Sequence, residues 1–202
     1  MIPVRQEPEY AAFDAEVRQP GIRFLRGNPS PTSRDFQRHN YWRHAKHELL
    51  RAYFHCAYTS LRVIGAAVSV DHFLPKVKYP KLAYEWDNYR LARPKLNQSK
   101  GDSEDVLDPF FVRCGWFFLD LPSCLIHPGD SLRRSRRNDV KATIRVLRLN
   151  SSDLTDERSR WLVDVAMNRI SFNYLRRQYP FLASEIERQG IKGQLGTLFA
   201  LT

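Results

Sequence analysis

Residues 70–76 of the chain read Val-Asp-His-Phe-Leu-Pro-Lys, residues 86–88 read Trp-Asp-Asn, and residues 97–102 read Asn-Gln-Ser-Lys-Gly-Asp. These segments bring a carboxylate (Asp71), an imidazole (His72), two carboxamides (Asn88 and Asn97) and lysines into one short part of the sequence. A hard divalent cation prefers oxygen ligands, which Asp71 and Asn97 could supply. A neutral imidazole can take a proton from water near neutral pH. This combination of groups is typical of phosphodiester hydrolysis.

The segments around this motif predict short strands followed by a short helix. Ala57–Val63 and Ala66–Phe73 are two β-prone runs on either side of a Gly65 turn, and they predict a hairpin. Trp86–Ala92 could extend the sheet, and Pro94–Lys100 predicts a helix that the next glycine ends. Neighbours on a regular strand face opposite ways, so Asp71 and His72 can serve one site only where the strand ends or twists.

The flanking segments predict mostly helices. The prolines and glycines of residues 1–32 indicate an irregular arm with a short helix near Glu9–Val17. A helix capped by Thr32 or Ser33 is predicted to run to about residue 55, and a buried strand is predicted over Phe110–Leu121. The acidic first turn after Ser152 predicts a helical C-terminal part.

The order of the motif residues resembles the HNH, or ββα-metal, nuclease family, including the HNH domain of the RNA-guided CRISPR effector nuclease. The shared order is an Asp-His pair, a later Asp-Asn pair, and a helix with Asn and then Lys, over about residues 56–105. The resemblance implies that Asp71 and Asn97 ligate Mg²⁺ or Mn²⁺ and that His72 is the general base. It also implies that Asn88 holds the imidazole ring or the loop, and that the products carry 5′-phosphate and 3′-hydroxyl ends.

The sequence departs from many relatives at the structural zinc site, which usually has two C-x-x-C pairs. Here the first pair would begin at Cys56, but Thr59 stands where its second cysteine would be. Arg93 and Leu96 stand where the second pair would be. We therefore expect no structural zinc. The three cysteines, an odd number without C-x-x-C spacing, indicate reduced thiols, and we expect Cys114 and Cys124 to be buried.

The flanks of the motif also resemble those of HNH effectors in bacterial anti-phage systems such as Septu or Zorya. The segments concerned are 41–49 before the motif and 143–150 after it. The predicted fold class is α+β, with a ββα-metal core flanked by helices on both sides. We expect a single nuclease domain over 1–202, consisting of an irregular arm (1–32), a flanking helix (33–55), the core (56–105) and a mainly helical C-terminal extension (106–202).

Composition favours a nucleic acid as the partner. The chain has 32 Lys and Arg against 22 Asp and Glu, a formal net charge of +10, and such a surface attracts polyanions. Residues 1–10 have no apolar core segment and no apolar run is long enough to span a membrane, so we expect a cytoplasmic protein that does not interact with membranes. Eight basic residues are candidates for phosphate contact: Lys76, Lys78, Lys95, Lys100, Arg133, Arg134, Arg136 and Arg137.

Several of these residues also have a purely structural interpretation. Asn88 can be an Asx-turn residue, and the basic run at residues 133–137 is equally a solvated turn or a phosphate-binding patch. His44 and His47 have a helical i, i+3 spacing but lack further ligands, so a surface or core-edge role is favoured.

The leading functional hypothesis is a metal-dependent DNA endonuclease or nickase, in which other proteins of a defence system are further candidate partners. A nuclease that acts on RNA is the nearest rival, because the motif contacts phosphate and metal and contains no base-reading element. A nucleic-acid-binding subunit, inactive until a partner protein releases it, is the rival from another class.

Overall fold

A computed structural model of the chain describes residues 1–65 and 68–196. These residues group into two compact units. The motif unit consists of residues 5–57, 63–65 and 68–104, and the C-terminal unit consists of residues 1–4, 58–62 and 105–196. The prediction of a single domain over 1–202 stays a prediction.

The motif unit begins with a helix inside the segment predicted to be an irregular arm. A π-helical turn, Asp14–Arg18, runs directly into α1 (Gln19–Gly27), so the short helix predicted near Glu9–Val17 begins later and continues further, and the expectation of an irregular arm is wrong over residues 18–27. Pro20 lies in the first turn of α1, directly after the π-helical turn. Gly21 lets α1 approach Tyr84, since a Cβ there would lie 2.1 Å from Cγ of that ring.

The flanking helix predicted over 33–55 is broken into three pieces. The pieces are α2 (Ser33–Arg38), a 3-10 turn at Tyr41–Arg43, and α3 (Ala45–Tyr53). Thr32 caps α2 through a capping box, as the sequence predicts, because its hydroxyl accepts from the Asp35 amide at 3.3 Å. The helix stops because the Asn40 side chain donates to the Gln37 carbonyl at 2.8 Å, which satisfies one of the last carbonyls of α2.

The motif residues lie on two antiparallel strands and a helix. β1 (Ser69–His72) pairs with β2 (Tyr89–Ala92), with Asp71 opposite Arg90 and His72 opposite Tyr89. The helix α4 (Pro94–Lys100) follows directly, with Pro94 in its first turn. Gly101 ends it at a φ of 50°, a conformation that favours glycine. The predicted helix is therefore confirmed at both ends.

The predicted hairpin over Ala57–Phe73 is wrong in its first strand. β1 pairs with β2, which follows a long loop, and residues 57–63 form no strand. Every residue of β2 is buried, whereas the first predicted strand is a buried turn segment. Apolar runs indicate burial but do not identify a pairing partner, which explains the error. Ala66 and Ala67, the start of the second predicted strand, lie outside the described residues.

The C-terminal unit combines a second two-stranded sheet with four helices. β3 (Phe117–Asp120) and β4 (Leu125–Pro128) are antiparallel. The helices are α5 (Arg134–Val146), α6 (Ser152–Ala166), α7 (Phe172–Gln178) and α8 (Pro180–Arg188), followed by a 3-10 turn at Lys192–Gln194. Helix α8 is fastened to β3 because the buried Glu185 carboxylate accepts from the Leu119 amide at 2.8 Å.

Three predictions for this unit need correction. The strand expected over Phe110–Leu121 is confined to β3, and Phe111 is exposed in a turn at residues 109–111. The basic segment at 133–137 is no turn, since Arg133 is the N-cap of α5 and the next four residues are helical. Cys114 is exposed in the turn before β3, whereas Cys56 and Cys124 are buried free thiols.

The overall class agrees with the prediction. Helices and short two-stranded sheets make up the fold, so the α+β class is confirmed. Within the described part of the chain, no helix combines the length and the apolar character needed to cross a membrane.

Candidate active site

The site forms where β1 ends. Regular pairing ends after His72, with one last bond in the same register from the Phe73 amide to the Asn88 carbonyl at 2.8 Å. Asp71 and His72 therefore both line one cleft although they are neighbours in sequence. The cleft has a volume of about 350 Å³, and its other lining residues include Trp42, Lys76 and Asn97.

Asp71 forms a buried ion pair with Lys100. The Lys100 Nζ lies 3.2 Å from Asp71 Oδ1, and the two side chains are 1% and 2% exposed. The same ammonium donates to the His72 carbonyl at 2.8 Å. Helix α4 is thus tied to the end of β1 through one lysine, which positions the carboxylate and the backbone of the neighbouring imidazole together.

His72 is anchored by one ring nitrogen. Its Nε2 lies 2.9 Å from the Ala83 carbonyl oxygen, which can only accept, so Nε2 carries a proton and donates. No described residue hydrogen-bonds to Nδ1. In the neutral ring, Nδ1 is then the nitrogen that can accept a proton.

The surroundings of His72 keep the imidazole neutral. Burial, together with the positive charge of Lys76 and to a smaller degree of Lys100, lowers its pKa to about 3, against the opposing effect of the Ala83 hydrogen bond. Aromatic rings enclose it edge-on, with ring centroids 4.8 Å away at Trp42 and 5.2 Å away at Tyr89. Neutral imidazole is the form that a general base requires.

Lys76 stands at the same cleft in a partly buried position. Its Nζ lies 5.4 Å from the centroid of the Trp42 ring, which is within the range of a cation–π contact. Burial lowers its pKa, and the carboxylates of Asp102 and Asp71 oppose that shift. A cation held at the rim of such a cleft suits an anionic substrate.

Asn88 holds the loop between the two strands. Its Oδ1 accepts from the Leu74 amide at 2.8 Å, and its Nδ2 donates to the carbonyls of Leu74 and Leu82 at 3.0 and 3.1 Å. These contacts are to the loop and not to the imidazole. Leu82 precedes Ala83, so Asn88 fixes the part of the loop whose Ala83 carbonyl binds the His72 ring.

Asn97, a residue of α4, lies beside Asp71 of β1. Its Nδ2 donates to the Ser69 hydroxyl at 3.2 Å and to the Val70 carbonyl at 3.3 Å. Its Oδ1 is therefore the atom that could bind a cation at the cleft. A carboxylate and a carboxamide oxygen at one cleft fit the way Mg²⁺ binds, since that ion uses few protein ligands and keeps waters and phosphate oxygens. Among the described residues, no group of three or more His, Cys, Asp or Glu could hold a metal.

The other basic residues predicted to bind phosphate fall into different environments. Lys100 is buried in the ion pair described above, and Lys78 is exposed but bound to the Glu104 carboxylate at 3.0 Å. Lys95 is exposed on α4. Arg133, Arg134, Arg136 and Arg137 belong to the C-terminal unit. Their role in phosphate contact stays a prediction.

Sequence reasoning missed the groups that hold the imidazole. From the sequence, Trp42 is only a residue of the predicted flanking helix and Tyr89 a residue of a possible strand, and the Ala83 carbonyl has no side-chain signal. Tyr89 also donates to the Ala83 carbonyl, at 2.9 Å. An aromatic residue placed opposite His72 by the strand register was the one available clue.

Comparison with known proteins gives a partial similarity. No family model matches the chain. The Septu protein PtuB of Bacillus thuringiensis is 29% identical over 100 residues, which is 48% of this chain and 37% of that protein. The matched segment therefore spans well under half of the relative's length.

Proposed function

We propose that this chain is a metal-dependent endonuclease of the HNH type that hydrolyses DNA phosphodiester bonds. The observation that carries the proposal is the cleft at the end of β1, where Asp71, His72 and Asn97 meet and His72 presents Nδ1 with its other nitrogen fixed. A carboxylate and a carboxamide oxygen can hold a hard divalent cation, and a neutral imidazole can activate water, which together suit hydrolysis of a phosphodiester.

In the proposed reaction, a water molecule attacks phosphorus and gives its proton to Nδ1 of His72. The bond between phosphorus and the 3′ oxygen breaks, and that oxygen takes a proton from solvent, which yields 3′-hydroxyl and 5′-phosphate ends. Asp71 and Asn97 would hold a divalent cation, which supplies charge stabilisation for the phosphate and the leaving oxygen. Nε2 keeps its proton on the Ala83 carbonyl throughout.

The low pKa of His72 is compatible with this role once substrate is bound. Its depression results from burial and from the neighbouring ammonium groups of Lys76 and Lys100. A phosphate in the cleft brings negative charge beside these cations, and a nearby negative charge favours protonated imidazole. A bound phosphate therefore opposes the effect of the two ammonium groups on the pKa of His72.

The partial similarity to the Septu protein supports a place in anti-phage defence, with other proteins of such a system as partners. Cells that carry the chain with its neighbouring genes should restrict phage plating, and His72→Ala in the same locus should abolish the restriction. Equal plating on both strains would contradict a nuclease-based defence role.

The direct test incubates purified protein with supercoiled plasmid and, separately, with RNA, each with Mg²⁺, Mn²⁺ or EDTA. We expect metal-dependent plasmid cleavage that falls roughly 10²- to 10⁴-fold in His72→Ala, the usual contribution of a general base. His127→Ala is the matched control, because His127 is an exposed histidine of the C-terminal unit. Cleavage of RNA alone would favour the RNA-directed alternative, and full cleavage by a folded His72→Ala protein would remove the mechanism.

A further inference from the structure

Helix α5 in the C-terminal unit has one face that carries only positive charge. Arg134, Lys141 and Arg145 are exposed at helical spacings of seven and four residues, which places them on one side of the helix. Asn138 is the exposed residue between them, and Arg148 continues the row just after the helix. The opposite side is buried through Val140, Thr143 and Leu147. We call Arg134, Lys141, Arg145 and Arg148 the α5 row.

The cations of the α5 row have no acidic partners in the part of the chain that the structure describes. By contrast, Arg136 pairs with Asp139 at 3.1 Å and lies 4.3 Å from the centroid of the Trp116 ring. Arg137 donates to the Asp130 carbonyl at 2.7 Å. Two of the arginines that the sequence singled out are therefore committed to intramolecular contacts, whereas the row that continues along the helix is not.

The exposed face of a helix in a soluble protein ordinarily mixes both signs of charge, and a field of one sign attracts the opposite charge. At 1.5 Å per residue, Arg134 to Arg145 spans about 16 Å in a straight line. Phosphates of one DNA strand rise 3.4 Å along the duplex axis per base pair, so the row is as long as about five base pairs, or about half a turn. A rigid row of positive charge of this length is complementary to the dense negative charge of a duplex.

Two other polyanionic partners fit this face less well. A helix that lies on a membrane ordinarily inserts an apolar face, and the apolar face of α5 is buried. A single strand is usually held by aromatic rings that stack on its bases, and the exposed positions of the row carry none.

We infer that the α5 row is a binding surface for the phosphate backbone of duplex DNA, separate from the cleft in the motif unit. It rests on the proposed function only in its choice of nucleic acid as ligand. The row reads no base sequence, because contacts to phosphates position a protein on the duplex without specifying the bases.

The test measures binding of a labelled DNA duplex by fluorescence anisotropy, in EDTA, over a series of salt concentrations. The row variant is Arg134→Gln, Lys141→Gln and Arg145→Gln in the full chain. The matched control removes three other exposed cations of the same unit that, like the row, have no acidic partner among the described residues: Arg62→Gln, Arg113→Gln and Arg160→Gln. Circular dichroism checks that both variants fold.

Each lost phosphate contact should reduce the log-log salt slope by about 0.9, so the row variant should lose up to about 2.7 of the slope. Between 50 and 200 mM salt, wild type should then lose about 40-fold more affinity than the row variant does. The control variant should keep a slope close to that of wild type.

An equal loss of slope in both variants would overturn the inference, because it would show an effect of net charge alone. So would an unchanged slope in the row variant, or a dependence on the row that appears with single-stranded RNA but not with duplex. Binding in EDTA is independent of cleavage. An inactive protein that still needs the row to bind duplex would refute the proposed nuclease activity and leave this surface in place.

Discussion

Replacement of Lys100 by methionine tests whether the buried ion pair organises the site. The substitution keeps a long side chain of similar volume but removes the ammonium that Asp71 Oδ1 and the His72 carbonyl share. The Asp71 carboxylate, which is 2% exposed, would then lose the Lys100 ammonium. Loss of one partner from a buried pair leaves charge uncompensated, and that costs about 3–5 kcal/mol of the free energy of unfolding.

The chain offers a control that differs mainly in burial. Lys78 pairs with Glu104 at 3.0 Å, nearly the distance of the Lys100–Asp71 pair, but in an exposed position. Lys78→Met should leave the unfolding midpoint close to that of wild type, because solvent already screens the pair.

The assay is urea unfolding of four variants: Lys100→Met, Lys78→Met, Asp71→Asn, and the double variant Asp71→Asn with Lys100→Met. Removal of both charges should be less destabilising than the sum of the single changes, since no isolated charge then remains. Equal small effects of Lys100→Met and Lys78→Met would refute the reasoning, because they would show that burial does not strengthen the dependence of Asp71 on its partner.

The remaining predictions concern the other site residues and metal. Since the pKa of His72 is lowered from 6.5 to about 3, the acid limb of kcat/KM, which reports the free protein, should lie below pH 6.5. As pH falls from 6.5 towards 3 the unfolded chain takes up a proton that the folded chain does not, so unfolding free energy should drop by up to about 2 kcal/mol by pH 5, and by less in His72→Ala. Asn88→Ala should lower the cleavage rate more than it weakens DNA binding, and equal losses in both would argue against its positioning role. Asp71→Ala should weaken metal affinity, with activity partly restored by high Mn²⁺, and Asn97→Ala should do so more mildly; a defect insensitive to Mn²⁺ would contradict metal ligation. Elemental analysis of protein purified without chelator should find less than one zinc per chain, because paired thiolates are absent from the sequence.

Local signals in the sequence predicted the elements of the site better than their pairing. Helix α4 begins at Pro94 and ends before Gly101, as predicted, because proline and glycine act through their own backbone geometry. The partner of β1 could not be read in the same way. The apolar run at 57–63 and the segment at 89–92 are both predicted to be buried. Only tertiary packing decides that the second segment pairs with β1.

The site residues were predicted by chemical type, whereas their relations depend on the fold. Asp71, His72 and Asn97 do line one cleft. Lys100 was expected at a phosphate, but the structure places its ammonium on Asp71, and no spacing rule indicates which of several lysines will be buried. The continuation of the basic run into α5 was likewise missed, because residues 133–137 were interpreted as a turn.

The imidazole of His72 is held by the carbonyl of residue 83, within a loop that Asn88 closes through three further main-chain atoms. Every amino acid has a main-chain carbonyl, so evolution can exchange most side chains of this loop, provided that the course of the backbone and the few buried contacts persist. Selection would then be concentrated on a handful of positions in the motif. Divergent proteins with the same site would retain little overall identity, and a search for them would do better with the backbone path between β1 and β2 than with aligned letters.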